Sequence, residues 1–432
     1  MRILIATVPF SGHFNPLTGV AARLREEGHD VRWYAAPSFV PRVEALGITA
    51  VPFRSANAVT EETLPELFPE RARLRGPKLI SFEFARVFTD NIPGYVADIT
   101  ELHASWPFER LVCDEAFYAA AILGPKLGVP LHIISPGPSL IPSRDVPPPF
   151  FGLRPARNVA VRIVHGAVRR MVHATMKEGL LTFNRARAEA GQAPLKPADL
   201  FAWQSAVAVR TYQAGLPETD FPRTDAPANL EYVGSLVPFT SPTAAGPVLE
   251  RVAAWPGRVV VVSQGTVDNR DHDKLLIPTL AALAHDDVLV VAVTGGVGTE
   301  DLRRRFAGPN AVIEDHVDFN ALFPLTDLFV SNGGHGSVIL ALTHGLALVL
   351  AGTREGKNDI NARLAWNGLA RDLRTERPKP AAIAAAATAA LADGAMRARV
   401  ADVARRLAAH DSIDLVVRGV TAVPAPVTGG PV

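Results

Sequence analysis

The sequence predicts an α/β protein in which two doubly wound parallel sheets face a central cleft. Short, continuously apolar runs, such as 3–6 and 258–263, are typical of strands buried on both faces of a parallel sheet. Helical segments alternate with such runs in both halves of the chain. Residues 236–246 are rich in proline, glycine and small side chains, a composition that indicates a linker between two domains.

The strands predicted in the N-terminal half are 3–6, 29–36, 108–112, 131–135, 205–210 and 230–233. After the first strand, Asn15 is expected to cap a helix that has Pro16 at its first position and continues to about residue 28. Residues 57–91 are charged and interrupted by prolines, which indicates a mostly helical insertion. The loop 136–151 is long and rich in proline, and such loops are usually functional.

The strands predicted in the C-terminal half are 258–263, 288–293, 312–313, 328–330 and 347–350. Each ends in a turn, and these turns are expected to line the cleft. The alanine-rich residues 380–407 are helical by propensity. The domains expected are an N-terminal domain at 1–236, a linker at 237–249, a C-terminal domain at 250–408, and a C-terminal segment with a disordered tail at 409–432.

Charge and cysteine content narrow the function classes. The formal net charge of +1 gives no field that would favour nucleic acid as a partner. The single cysteine, Cys113, excludes internal disulfides and cysteine-rich metal sites and fits the reducing cytoplasm. No apolar run reaches the roughly 18 residues of a membrane-spanning helix, and the N-terminus has the pattern of a strand. The basic stretch 154–170 could rest on an anionic membrane, but a solvated helix face is the favoured interpretation.

The most informative stretch is 327–350, where an apolar strand, a glycine-rich turn and a helix follow one another. Backbone N–H groups at a helix start are unpaired and the helix dipole favours negative charge, so such a turn can bind a phosphate. Gly333, Gly334 and Gly336 leave the backbone accessible, and Ser337 is expected at the N-cap of a helix that runs toward Gly345. The same pattern also occurs in tight βα turns that bind nothing.

Two histidines, His13 and His316, follow predicted strands and are expected at the cleft. A neutral imidazole at position 13 could accept a proton from an attacking hydroxyl, since its pKa lies near the working pH. Asp114 ends a strand expected beside the first one, where it could orient His13 and stabilise its charged form. For one histidine alone, helix capping or packing is the alternative.

Four motifs occur in order along the chain: Gly12-His13-x-x-Pro16, Asp114, Ser263-x-Gly265-Thr266 and the Gly-Gly-x-Gly-Ser turn at 333–337. Together they resemble the nucleotide-sugar-dependent glycosyltransferases of family 1, and most closely the bacterial macrolide-glycosyltransferase-like enzymes, over nearly the whole chain. The resemblance implies the GT-B fold, in which two Rossmann-like domains bind the acceptor and the donor respectively.

The resemblance also implies the chemistry. An inverting transfer without a metal or other cofactor would move a sugar from a UDP- or dTDP-sugar to a hydroxyl of a hydrophobic small molecule, with His13 as base and Asp114 behind it. The segment at His316 and Val317 would lie beside the nucleobase. The other donor contacts implied by the resemblance are Ser263, Gly265, Thr266, Asn332, Gly333, Gly334, Gly336, Ser337, Glu355, Lys357, Asn358 and Asp359.

Three positions depart from the family pattern. Asn332 replaces a histidine that commonly touches the phosphate, and it can still donate one hydrogen bond. Leu340 replaces a glutamate that commonly binds the ribose hydroxyls, and Asp318 replaces a proline. Because an apolar side chain cannot bond a ribose 2′-hydroxyl, Leu340 makes a thymidine diphosphate sugar at least as plausible as a uridine one.

The acceptor side is expected to come from the 57–90 insertion and the loop 136–151, and the chain to act as a monomer or homodimer. Two other functions remain open. One is a catalytically silent partner that activates another transferase, which the loss of the phosphate histidine and ribose glutamate would allow and the presence of His13 and Asp114 opposes. The other is a nucleotide-sugar epimerase of the same fold, which would need no acceptor.

Overall fold

The computed structural model describes residues 1–236, 238–239, 246–265, 269–285 and 287–422. The strands are β1 Arg2–Ala6, β2 Asp30–Ala35, β3 Thr49–Pro52, β4 Arg110–Asp114, β5 Leu131–Ser135, β6 Arg210–Ala214, β7 Leu230–Gly234, β8 Arg258–Ser263, β9 Val288–Val293, β10 Ala311–Glu314, β11 Leu328–Ser331, β12 Ala347–Leu350 and β13 Arg371–Asp372.

The α-helices are α1 Ser11–Glu26, α2 Val40–Glu44, α3 Leu64–Leu67, α4 Gly76–Phe82, α5 Ile92–Ser105, α6 Ala120–Leu127, α7 Val159–Thr175, α8 Lys177–Glu189, α9 Leu200–Val207, α10 Pro247–Ala253, α11 Leu276–Leu283, α12 Thr299–Arg305, α13 Phe319–Leu322, α14 His335–Thr343, α15 Lys357–Trp366, α16 Pro380–Ala392, α17 Gly394–Ala408 and α18 Ser412–Thr421. Short 3-10 helices lie at Pro37–Phe39, Pro69–Arg73, Pro217–Thr219, His272–Lys274 and Phe323–Leu325, and a π-helix at Glu83–Thr89.

The strands form two parallel sheets, which confirms the predicted fold class. The N-terminal sheet has the order β3-β2-β1-β4-β5-β6-β7, and the C-terminal sheet the order β10-β9-β8-β11-β12-β13. In each sheet the order reverses between two central strands, β1 and β4 in the first and β8 and β11 in the second. The loops that follow two such strands diverge, and the crevice between them is where doubly wound sheets bind ligands.

The apolar runs that predicted the central strands fill two separate cores. In β1, Ile3, Leu4 and Ile5 are fully buried, and in β11 Phe329 and Val330 are too. Helices cover both faces of each sheet, so the side chains on either face of a strand pack against helices and not against water. This burial explains why these strands are continuously apolar and why they were predictable.

The start of α1 differs from the prediction. The helix begins at Ser11, and Asn15 and Pro16 lie inside it, so the predicted cap and first position are wrong. The Glu61 carboxylate accepts a hydrogen bond from the Ser11 N–H, and the Asn15 side chain accepts one from Arg42. A carboxylate distant in sequence therefore pairs with an N–H group at the helix start, and no local sequence pattern could reveal this.

Several other boundaries also differ. The strand predicted at 205–210 is wrong, because residues 205–207 end α9 and the strand β6 starts only at Arg210. The Asn229 side chain donates to the carbonyls of Ser205 and Ala208 and so satisfies the end of that helix. The strands β3 and β13 were missed; they are short edge strands whose exposed residues interrupt any apolar run.

The C-terminal helix α18 returns to the N-terminal domain. Val416, Val417 and Val420 belong to the N-terminal core, and the Tyr212 hydroxyl lies 2.0 Å from where a Cβ on Gly419 would be. Helix α10 begins within the predicted linker, at Pro247. The other linker residues 237 and 240–245 and the predicted disordered tail, 423–432, lie outside the described residues.

No helix within the described ranges is both long and apolar enough to span a bilayer. Residues 159–170 of the basic stretch form the first part of α7, in which Val159, Ile163 and Val164 are exposed.

Candidate active site

His13 and Asp114 meet at the point where the strand order of the N-terminal sheet reverses. His13 lies in the first turn of α1, just after β1, and Asp114 is the last residue of the neighbouring β4. His13 Nδ1 is 2.8 Å from Asp114 Oδ1. The carboxylate is fully buried, whereas 24 % of the histidine side chain is exposed. The predicted pair therefore exists, with the imidazole on the solvent side.

The Asp114 carboxylate is held by the backbone around it. Oδ2 accepts a hydrogen bond from the Val8 N–H at 2.8 Å, and Oδ1 accepts one from the Ala116 N–H at 2.8 Å. These donors fix the orientation of the carboxylate toward His13. Nε2, the second ring nitrogen of His13, has no hydrogen-bond partner in the part of the chain that the structure describes. It is the atom available to a substrate.

The electrostatics of His13 suit a general base. Burial opposes protonation, but the charge and hydrogen bond of Asp114, followed by the charges of Glu115 and Glu61, raise the pKa of His13 above its usual value. A raised pKa makes the neutral imidazole a stronger proton acceptor.

Glu115 is a second acid at this edge, and the sequence reasoning missed it. Burial raises the pKa of its carboxyl to about 7. The charge of His13 and hydrogen bonds from Ser135 and Gly137 act in the opposite direction and lower it. Its Oε2 is buried without a partner. Two acids side by side at the end of an apolar strand, in Cys113-Asp114-Glu115, were the available signal.

At the carboxyl edge of the C-terminal sheet, three neighbouring strands, β9, β8 and β11, are followed by the same kind of turn. A Ser or Thr is the last residue of β8 and of β11 and the first residue after β9, and its hydroxyl accepts a hydrogen bond from the N–H of a glycine two residues later. The pairs, with distance and glycine φ, are Thr294 and Gly296 at 3.2 Å and 85°, Ser263 and Gly265 at 3.2 Å and 75°, and Ser331 and Gly333 at 3.1 Å and 95°. The positive φ explains glycine at each position. The predicted donor residues Ser263 and Gly265 thus form a turn; Thr266 lies outside the described residues.

The glycine turn after β11 leads into its helix earlier than predicted. Helix α14 begins at His335 with Gly334 as its N-cap, so Ser337 lies in the first turn and the prediction that it is the N-cap is wrong. Its hydroxyl donates to the Gly334 carbonyl at 2.9 Å. A Cβ on Gly336 would meet no atom within 4 Å. The unpaired N–H groups of an anion site therefore begin at residue 335, beside open space.

Asn332 and Gly333 are fixed by protein contacts. The Asn332 amide nitrogen, expected to remain free to donate to a phosphate, donates to the Gln264 carbonyl, and its Oδ1 is buried without a partner. A Cβ on Gly333 would lie 2.0 Å from Asn361 Oδ1. Packing therefore requires a glycine at 333 whether or not a phosphate binds.

The residues expected beside the nucleobase lie in the turn that follows β10. His316 is exposed, with Nε2 3.7 Å from where a Cβ on Gly296 would be. Val317 packs against the C-terminal core. Asp318, the residue in the family's proline position, caps α13 by accepting the Asn320 N–H at 2.9 Å. The substitution thus has a local structural role.

The four residues of the predicted sugar loop form two kinds of contact: one pair of residues bonds within the loop, and the other pair bonds the N-terminal domain. Lys357 Nζ lies 2.7 Å from Glu355 Oε2 and forms an ion pair. Asn358 donates to the Phe150 carbonyl at 2.8 Å. Asp359 is buried and accepts the N–H groups of Phe150 and, at 2.7 Å, Gly152. Asn358 and Asp359 therefore hold the N-terminal loop that begins at residue 136.

Two further contacts, which the sequence did not predict, join the domains beside the glycine turn. Arg363 Nε lies 2.7 Å from Asp220 Oδ1, and both side chains are buried. The second contact is a hydrogen bond from the His335 side chain to the backbone of Pro136. Burial and the charge of Arg363 lower the pKa of His335 to about 4, although this hydrogen bond opposes the shift. Because Pro136 follows β5 and Ser135 contacts Glu115, the glycine turn and the His13 edge lie on the same cleft.

The described residues contain no group of three or more His, Cys, Asp or Glu side chains that could hold a metal ion.

Comparison with known proteins agrees with this architecture. No protein-family model matches the chain. The chain is 33 % identical over 436 residues to the 4′-demethylrebeccamycin synthase of Lentzea aerocolonigenes, covering 96 % of this chain and 98 % of that protein. It is 27 % identical over 431 residues to UDP-glycosyltransferase 2 of Phaeomoniella chlamydospora, covering 96 % and 94 %.

Among solved structures, the spinosyn rhamnosyltransferase complexed with thymidine diphosphate matches with a TM-score of 0.67 at 17 % identity, over 97 % of this chain and 99 % of that one. Fold, order of motifs and full-length sequence similarity lead to one conclusion: the chain belongs to the family 1 nucleotide-sugar glycosyltransferases with the GT-B fold and is a glycosyltransferase.

Proposed function

We propose that the protein transfers a sugar from a UDP- or dTDP-sugar to a hydroxyl of a hydrophobic small molecule, with inversion at the anomeric carbon and without a metal. The observation that carries this proposal is the His13–Asp114 pair, whose Nε2 has no hydrogen-bond partner among the described residues. A buried carboxylate that fixes Nδ1 and leaves Nε2 to the substrate is the arrangement of a histidine general base.

In the proposed reaction, His13 Nε2 takes the proton of the acceptor hydroxyl as its oxygen attacks the anomeric carbon. The bond from that carbon to the diphosphate oxygen breaks, and the electron pair leaves with the nucleoside diphosphate. Attack from the face opposite the leaving group inverts the configuration. Asp114 stabilises the imidazolium that forms.

The leaving diphosphate would be received at the start of α14. Its N–H groups from residue 335 onward lie in the open part of the turn, and stabilisation by such donors needs no metal. Arg363 is committed to Asp220, so it would act on the diphosphate only at a distance.

Both nucleotides remain in the proposal. The fungal relative is named a UDP-glycosyltransferase, and the spinosyn rhamnosyltransferase holds thymidine diphosphate. Leu340 is partly buried against the C-terminal core, where it cannot bond a ribose hydroxyl. This favours a donor site that does not depend on the 2′-hydroxyl.

The proposed acceptor is a natural product or xenobiotic. The first relative is named for a rebeccamycin product and the solved structure for a spinosyn, and both names denote small-molecule substrates or products. In this chain the loop from residue 136 lies between the glycine turn and the Asp114 edge, where it would contact the acceptor.

The test is transfer from UDP- and dTDP-sugars to a panel of phenolic and macrolide acceptors by the native chain and by His13→Ala. The variant should lose about a hundredfold to ten-thousandfold in kcat, the usual contribution of a general base, and keep its affinity for the free diphosphates. Nucleotide binding without turnover by the native chain would favour a silent partner. Conversion of the donor without an acceptor would favour an epimerase.

A further inference from the structure

Helix α7 carries apolar side chains on its exposed side. Seven large apolar side chains are exposed in the described residues, and three of them, Val159, Ile163 and Val164, lie within the first two turns of this helix. Val159 is 67 % exposed and Ile163, one turn later, is 69 % exposed. The opposite side of the helix packs inward, where His165 and Val172 are buried. A solvated helix face would be polar on the exposed side, and this one is not.

The apolar side continues along α7 into α8. Ala167 and Ala174 are exposed on the same side of α7 as Ile163, four and eleven residues further along the helix. Ala174 then lines an open cavity of about 320 Å³ together with Leu181 and Pro197. Leu181, in α8, is 60 % exposed. An apolar stripe therefore runs from the start of α7 to α8.

The charges around this stripe are of one sign. Residues 146–177 contain six basic side chains and no aspartate or glutamate, although the whole chain has 44 basic and 43 acidic side chains. The exposed helix α17, in contrast, pairs Arg405 with Asp402. Arg162 and Arg170 are exposed and have no ion-pair partner among the described residues. The six basic residues are Arg154, Arg157, Arg162, Arg169, Arg170 and Lys177.

Unpaired cations beside an aliphatic stripe match the surface of an anionic lipid bilayer. Long arginine side chains can lie along apolar surface while their guanidinium groups reach the lipid phosphates. A second copy of the chain fits less well, because a symmetric dimer through this side would place its cations opposite the same cations. Another protein also fits less well, because the centre of a protein interface is usually rich in aromatic side chains and this stripe is aliphatic.

We propose that the exposed side of α7 docks on an anionic lipid surface. Val159, Ile163 and Val164 enter the boundary between head groups and acyl chains. Arg162 and Arg170 bind the lipid phosphates. The helix lies in the plane of the surface and does not cross the bilayer, in agreement with its length and composition.

The docking surface is connected to the loop that is proposed to contact the acceptor. Arg169 Nη2 donates to the Val146 carbonyl of that loop at 3.0 Å. The helix follows the same loop in the chain, and the Asn158 side chain fixes its first turn by accepting the Val161 N–H at 2.9 Å. A hydrophobic acceptor concentrates in a bilayer, so docking brings the loop to where such an acceptor is found. This consequence rests on the proposed function, whereas the docking itself does not.

The test measures binding of the purified chain to lipid vesicles by co-sedimentation. One set of vesicles is pure phosphatidylcholine, and the other is an equal mixture of phosphatidylcholine and phosphatidylglycerol. At low salt the native chain should bind the anionic vesicles at least about tenfold more tightly than the neutral ones, because each cation near the surface contributes about fivefold. High salt should remove most of this preference.

Two variants separate the apolar and the charged contributions. Ile163→Gln should weaken binding to the anionic vesicles by about tenfold, and Leu325→Gln, at an exposed leucine of the C-terminal domain, is its control. Arg170→Gln should weaken it by about fivefold, and Arg405→Gln on α17 is its control. Both controls should bind as the native chain does. Val159→Gln replaces Ile163→Gln if that variant does not fold.

Equal binding to both kinds of vesicle overturns the docking surface, as does an affinity for the anionic vesicles that is unchanged in Ile163→Gln and Arg170→Gln. A dimer in sedimentation velocity that Ile163→Gln converts to a monomer, without vesicle binding, also overturns it, because a second copy then covers this side. The proposed function fails separately, if no acceptor is glycosylated while vesicle binding changes as expected in the variants.

Discussion

The carboxyl edges of the two sheets present different chemical groups. At the N-terminal edge the chemistry is in side chains: His13 and Asp114 are joined by a hydrogen bond and Glu115 lies buried beside them. At the C-terminal edge three strands repeat a hydroxyl-to-glycine turn, and the open groups belong to the backbone. Activating a hydroxyl needs a group that titrates, whereas receiving a diphosphate needs only fixed N–H dipoles.

The largest effect is expected for Asp114→Asn. The variant removes the charge that most strongly raises the pKa of His13, so kcat should fall by about a hundredfold to ten-thousandfold. In the proposed mechanism neutral His13 is the active form, so native transfer should decline as pH falls through its raised pKa. In the variant that acid limb should move to lower pH, and a pH–rate profile measures it. An unchanged limb would contradict the role of the pair.

Gly333→Ala tests the backbone edge. Its φ of 95° and the 2.0 Å approach to Asn361 Oδ1 should lower the free energy of unfolding by more than about 2 kcal/mol. Gly336→Ala is the matched comparison, because a Cβ there meets no atom within 4 Å. It should leave urea unfolding unchanged and weaken diphosphate binding. If both variants were equally stable, the packing role of residue 333 would be wrong.

Asp359→Asn tests the contact between the two edges. The carboxylate accepts one N–H group on each oxygen, from Phe150 and from Gly152, and an amide has only one oxygen. The free energy of unfolding should therefore fall by about 1–3 kcal/mol. Hydrogen exchange at these two amides should speed up. Asp402→Asn, on the exposed face of α17, is the control and should change neither quantity. Unchanged exchange at Gly152 would show that Asp359 does not hold the loop.

The smallest effect is expected for Leu340→Glu. A carboxylate that reaches the ribose would bond the hydroxyl that only the uridine nucleotide carries, raising the ratio of UDP to dTDP affinity by about fivefold. Isothermal titration with both diphosphates measures it, and Leu340→Met is the control of similar size. A strong native preference for UDP would contradict the interpretation of Leu340.

The sequence predicted the parts of the molecule that depend on local patterns. The buried strands, the Ser263-x-Gly265 turn and the His13–Asp114 pair were each visible in short stretches or in the order of strands. The alternation of strands and helices was enough to bring His13 and Asp114 to one edge.

The parts it missed depend on contacts between distant residues. Glu61 completes the start of α1 from fifty residues away, so Asn15 and Pro16 gave the wrong boundary. The Gln264 carbonyl engages Asn332 from the neighbouring turn, and Asp359 is occupied by the loop of the other domain. Side-chain type was predictable at these sites, but the partner was not.

The first and last described elements of the chain, β1 and α18, belong to the same domain. After leaving through the linker and completing the C-terminal domain, it returns so that α18 places Val416, Val417 and Val420 in the first core, with Gly419 against Tyr212. Within the described residues the polypeptide thus passes between the domains twice, and the second passage attaches the end of the C-terminal domain to the N-terminal core. Cutting the linker would leave two fragments still joined by that helix, whereas removing α18 would take part of the core out of the N-terminal domain.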